Sequence, residues 1–158
     1  MEDITDPTAL RLDFDALVPR FAAAMNRLDA AAGVGLDPKL RELVRLHAST
    51  INGCAYCVDM HSKDARAAGE TEQRLYSLGA WREVSWFTPA ERAALALTEA
   101  VTEIHREHVP AAVMEEAARH FEPEPLAQLI ALLVTINAWN RIGVTTRCWE
   151  PGSYEVGG

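Results

Sequence analysis

Apolar residues recur every three to four positions along most of the chain and nowhere alternate strictly. That pattern predicts helices and no strands. Ala, Leu, Glu and Arg dominate the same stretches, and these side chains favour helix. Phe14 to Ala31 reads as a first helix, closed by GVGLDP (Gly33 to Pro38). Asp37 is placed to cap a second helix with Pro38 at its first position. Leu40, Leu43, Val44 and Ile51 fall at helical spacing within it. Asn52-Gly53 ends it, because both residues tolerate a left-handed backbone. A third helix is expected from about Cys54 to Ala68, with Gly69 as its stop, and a short fourth over Thr71 to Leu78. Thr88 and Glu91 form a capping box with Pro89 in the first turn, opening a fifth. A sixth follows Pro110 up to about Phe121. The last, after Pro125, carries LAQLIALLVTINAWNRIGVTTR. Residues 1–12 read as a loose lead-in and the segment from Pro151 as irregular. The expectation is an all-α domain of six to seven helices, with helices two and three doubling back as an antiparallel hairpin.

At 158 residues the chain is long enough to bury a core as one domain, residues 1–158. It is 49% hydrophobic and 24% charged, an ordinary globular profile. The net charge of -8, from 15 Lys+Arg against 23 Asp+Glu, argues against nucleic acid or an anionic membrane as partner. MEDITDPTAL has neither the basic nor the apolar region of a secretory leader. The apolar run Leu129 to Ile136 is too short to span a bilayer. A cytoplasmic protein is expected. Three cysteines are too few for a disulfide scaffold. In a reducing compartment a Cys-x-x-Cys points to catalysis or metal binding.

The chemistry concentrates in NGCAYCVDMH, Asn52 to His61. At about 100° per residue, Cys54, Cys57 and His61 fall within an arc of roughly 60°, joined by Val58, Ala65 and Ala68. His61 follows Cys57 by four residues, the spacing at which helical side chains meet. The cysteines occupy a first turn, where unpaired backbone amides favour a thiolate. Doubling back at Asn52-Gly53 brings Glu42 level with His61, so that a carboxylate orients an imidazole and the imidazole takes the Cys57 proton. The need is real, since a thiol with a pKa near 8.5 is only about 3% thiolate at pH 7. Two other readings stand beside this one: zinc held by Cys54, Cys57 and His61, and buried inert thiols. Tyr56, Met60 and Ala67 read as a second apolar stripe opposite the thiols, suited to an interface. Trp81 and Ser85-Trp86-Phe87 suit contacts with another subunit. His47 is a candidate pocket residue or a packed hairpin side chain. His105, His108 and His120 read as surface residues and Cys148 as a bystander. Asn137, Asn140 and Arg141 interrupt an apolar helix and are read as satisfying backbone groups or a subunit contact, with lining the pocket as the lesser alternative.

Glu42, eleven residues, Cys54-Ala-Tyr-Cys57, three residues and His61 together resemble the AhpD-like alkylhydroperoxidases of the carboxymuconolactone decarboxylase family. The likeness runs over about residues 36 to 147, including INAWNRIGV in the last helix. It implies an all-helical AhpD-like fold with its core in that span, assembled as a homo-oligomer, often a trimer or hexamer. It further implies a peroxidase in which Cys57 attacks a hydroperoxide, Cys54 resolves, and His61 and Glu42 relay protons. An external dithiol would reduce the resulting disulfide, because the chain carries no flavin or nicotinamide motif; no cofactor and no metal are expected. The family's best-known members carry a histidine where this chain has Tyr56, and a tyrosine is not a base near neutral pH. The alternatives are a decarboxylase or lactone-processing member of the fold, against which the cysteine pair counts, and a non-catalytic zinc-binding helical module.

Overall fold

The structure, a computed structural model, describes residue 6 and residues 8–157. Among these residues every regular element is helical. Helices α1 (Phe14–Leu17) and α2 (Pro19–Ala31) occupy the span expected as one helix. Pro19 explains the break: the residue before a proline is driven out of the helical region, and Val18 sits at φ -129°, ψ 57°. Asp37 caps α3 (Pro38–Asn52) by accepting from the Leu40 amide at 3.1 Å. Gly53 ends α3 in the left-handed region at φ 69°, and α4 (Ala55–Ala67) follows after one residue. These two pack side by side as the hairpin expected at that corner.

Beyond α4 come α5 (Glu72–Tyr76) and a 3₁₀ segment, Leu78–Glu83. The capping box at Thr88 and Glu91 forms in both directions and starts α6 (Pro89–Thr102). Helices α7 (Ile104–Glu107) and α8 (Ala111–His120) lead to α9 (Pro123–Thr146). The last helix begins three residues earlier than its sequence suggested, because Pro123 itself takes the first position. The 3₁₀ segment and α7 are too short to show a period. Of the expected loose lead-in, residues 1–5 and 7 lie outside the described residues. The Arg11 and Leu12 amides donate to the Thr146 carbonyl, at 2.9 and 3.1 Å. That ties the start of the chain to the end of α9.

Helix α3 is the centre of the molecule, packed on α4, α6 and α9. One face sends Leu40 and Val44 against Leu97, Leu129, Leu132 and Leu133; another sends Leu43 and Leu46 against Leu95, Leu78, Trp81 and Phe87. Each such side chain withdrawn from water contributes about 1.5–3 kcal/mol, which outweighs the weak helical preference of any single segment. Trp81 and Phe87 are thus spent on the chain's own core, while Trp86 stays exposed. At 24 residues α9 has the length and composition to cross a bilayer. Its buried Asn137 and Asn140 instead bond across to α3 and α6.

Candidate active site

The α3–α4 corner sets the site. Cys54 is the N-cap of α4, where its Sγ accepts from the Cys57 amide at 3.4 Å. Cys54 and Cys57 are joined as a disulfide, with their Cα atoms 5.3 Å apart. Both sulfurs are buried, Cys54 at 2% exposure and Cys57 at 4%. One turn on, buried His61 faces back toward α3, and its Nδ1 lies 2.8 Å from Glu42 Oε2. The two helices therefore bring Glu42, His61, Cys57 and Cys54 into one cluster. In the disulfide state the two sulfurs offer zinc no thiolate.

Burial pushes the Glu42 carboxyl up, but the His61 hydrogen bond and charge and the Arg45 guanidinium outweigh it. The net position is below the ordinary value of 4.5. Glu42 is accordingly an anion that only accepts, so Nδ1 of His61 carries the proton and Nε2 is the free basic nitrogen. Arg45 donates to Glu42 Oε1 at 2.9 Å and to Asp29 of α2 at 3.3 Å, which fixes the carboxylate from behind. Sequence reasoning passed over Arg45, although its place three residues after Glu42 on α3 was a usable signal. A ligand atom from each of Glu42, His61 and Asp64 lies within 4.8 Å of the others, a group able to gather around a cation. Glu42 is already shared by His61 and Arg45, and Asp64 accepts from the Tyr154 hydroxyl at 2.7 Å.

A cavity of about 500 Å³ opens onto Cys57 and His61. Its walls include Tyr56, Met60, Trp139 and Trp149, with Ala22 and Ala23 from α2. Tyr56 and Met60 thus belong to the side of the thiols rather than to an opposite stripe, and Ala67 is exposed. The cause is local: the cavity wraps around the first turns of α4, wider than the arc that a helical wheel assigns to one face. Trp149 stands against Tyr56 and Trp139, each ring centroid 5.6 Å from its own, and donates from Nε1 to Asp15 Oδ2 at 2.9 Å. No periodic signal could place Trp149, because it follows the last helix.

His47 lies five residues after Glu42, about 140° around α3. It faces away from the cavity, with Nε2 3.0 Å from Glu99 Oε1. Burial pushes Glu99 up, but hydrogen bonds from His47, Arg82 and Trp81 bring it down to about 2. His105, His108 and His120 are exposed. Cys148 is a free, half-buried thiol whose pKa burial raises. Asn52 donates to Asn137 at 3.0 Å and to Asn140 at 2.9 Å, and Asn140 donates to Ser49 at 3.0 Å. These amides pin the hairpin corner to α9, and Arg141 caps the cluster by donating to Asn137.

The pattern of the carboxymuconolactone decarboxylase family matches residues 19–100. The uncharacterized protein YdfG of Bacillus subtilis (strain 168) is 44% identical over 104 residues, covering 66% of this chain and 71% of its own. The alkyl hydroperoxide reductase AhpD of Bradyrhizobium diazoefficiens is 39% identical over 49 residues, 31% of this chain and 27% of its own. Among solved structures, ATU0492 of Agrobacterium tumefaciens superposes with a TM-score of 0.87 at 35% identity, over 90% of this chain and 99% of that one. ATU0492 is a protein of unknown function and a candidate antioxidant defence protein AhpD.

Proposed function

The chain belongs to the carboxymuconolactone decarboxylase family and has the AhpD-like fold, and from that premise we propose that it is a thiol peroxidase acting on organic hydroperoxides. The observation that carries this reading is the 2.8 Å contact between Glu42 and His61, beside a cysteine pair of which Cys57 lines the cavity. In the reduced enzyme Nε2 of His61 takes the Cys57 proton. The thiolate attacks the terminal peroxide oxygen, the O–O bond breaks, and the alkoxide leaves as an alcohol with the proton His61 held. Cys57 is then a sulfenic acid. Cys54 attacks its sulfur, water leaves, and the Cys54–Cys57 disulfide forms. A dithiol donor returns the two electrons. A decarboxylase or lactone-processing activity would leave the cysteine pair without a part. The zinc module would need both thiolates free, and metal analysis of the purified protein decides it.

Reduced protein given a slight excess of cumene hydroperoxide is expected to lose two thiols per chain. Cys57→Ser abolishes peroxide consumption, whereas Cys148→Ser leaves it intact. Undiminished consumption in Cys57→Ser removes the assignment.

A further inference from the structure

The two sulfurs of the disulfide face different spaces. Cys57 lines the large cavity with His61, and Cys54 does not. Cys54 instead lines a second pocket of about 240 Å³, with Gly143, Val144, Arg147 and Pro151, and Cys57 does not reach it. Tyr56 and Trp149 line both, so their rings, tilted 40° to each other, are the wall between. From this separation, and resting on the peroxidase reading, we propose that the disulfide is worked from two sides: peroxide enters at Cys57, and the reducing dithiol enters the second pocket and attacks Cys54.

Charge separates the two entrances. The large cavity carries Asp15 and Asp29, and its guanidinium, Arg45, is already engaged by Glu42 and Asp29. Arg147 is the charged side chain in the second pocket, where it also donates to the Asp6 carbonyl at 3.0 Å. A thiolate therefore meets two carboxylates on the Cys57 side and a guanidinium on the Cys54 side, a contrast that favours its entry at Cys54. Thiol–disulfide exchange proceeds in line with the S–S bond, so a thiol that attacks Cys54 approaches its sulfur from the side away from Cys57.

The step balances. The donor thiolate attacks Cys54 Sγ, a donor–Cys54 disulfide forms, the Cys54–Cys57 bond breaks, and Cys57 leaves as the thiolate beside His61. The donor's second thiol then attacks the donor sulfur of the mixed disulfide. Cys54 leaves and takes up a proton, and the donor departs as a disulfide, oxidised by two electrons. Cys57 is thereby delivered in the form the next peroxide needs. Attack from the other side would trap Cys57 in the mixed disulfide.

Two measurements test this. The disulfide form of the wild-type protein is treated briefly with 2-mercaptoethanol, quenched in acid, alkylated with N-ethylmaleimide and mapped by tandem mass spectrometry. The mercaptoethanol adduct is expected on Cys54 and the maleimide on Cys57. An adduct on Cys57, or an even split, overturns the proposal. Secondly, the rate of disulfide reduction by dithiothreitol is divided by the rate of thiol oxidation by cumene hydroperoxide. Val144→Trp, which fills the second pocket, should lower this ratio at least fivefold, and Ala23→Trp, which fills the large cavity, should raise it at least fivefold. Ratios that stay put or move together overturn it. If the peroxidase reading itself were wrong, the oxidation half would be absent in every variant, while the adduct map would still report which sulfur a thiol reaches.

Discussion

Glu42 uses both of its oxygens, accepting from Arg45 on Oε1 and from Nδ1 of His61 on Oε2. Its pKa lies below the ordinary 4.5. A depressed carboxylate contributes stability in full above the unfolded value, and that contribution is lost as pH falls through the lower folded value. Glu42→Gln keeps the shape and deletes the charge. Arg45 then keeps the Asp29 carboxylate and only an uncharged amide oxygen at position 42, so a loss of up to about 1.5–3 kcal/mol is expected at pH 7, the usual worth of a hydrogen bond to a charged group. In urea titrations this wild-type advantage should shrink as pH drops below 4.5. The same variant reads the proposed relay. In a Cys54→Ser, Cys148→Ser background, the thiolate absorbance of Cys57 should titrate at higher pH once Glu42 is neutral, because the imidazole loses the anion that supports its positive form. An identical titration curve would show that the carboxylate only holds Arg45.

At the level of elements, α9 and α4 meet at Gly143. A Cβ there would stand 3.2 Å from Cys54 Sγ and 3.2 Å from the Trp149 ring. In an exposed helix interior, Gly→Ala gains about 0.8–1 kcal/mol. Here Gly143→Ala must move a sulfur or an indole, and overpacking costs about 1–3 kcal/mol. A net destabilisation of up to about 2 kcal/mol is expected, with altered tryptophan fluorescence as Trp149 shifts; a full gain of about 1 kcal/mol would mean that the contact is slack. This contact also marks where sequence reasoning stops. Asp37-Pro38, Asn52-Gly53 and Thr88-Glu91 act within four residues of themselves, so α3, the hairpin corner and α6 were legible, and Glu42 with His61 followed from the corner. The Pro19 break was equally local and was passed over in favour of a continuous apolar period. Trp139 reaches the cavity from α9 itself, but Trp149 does so only because the chain after α9 returns over α4, where Lys63 and Asp64 hold Tyr154. Nothing in the local spacing encodes that return.

For the whole molecule, α2 has two contrasting sides. Pro19, Ala22, Ala23 and Asn26 line the cavity. Phe21 and Leu28 lie within about 20° of each other, roughly opposite that set on the wheel, and are 52% and 47% exposed. Covering such side chains is worth about 1.5–3 kcal/mol each when complete. The trimer or hexamer that the family resemblance implies would find its contact here. Burying this side would also brace the helix that walls the cavity, so assembly and peroxide oxidation should fall together. Light scattering at micromolar concentration is expected to give three or six chains for the wild type and one for Phe21→Glu/Leu28→Glu. Each chain carries -8, so repulsion opposes association at low ionic strength. The assembled fraction should therefore grow as salt rises to a few tenths molar. A salt-independent monomer would mean that α2 meets solvent in the working protein and that its outer side chains serve no subunit contact.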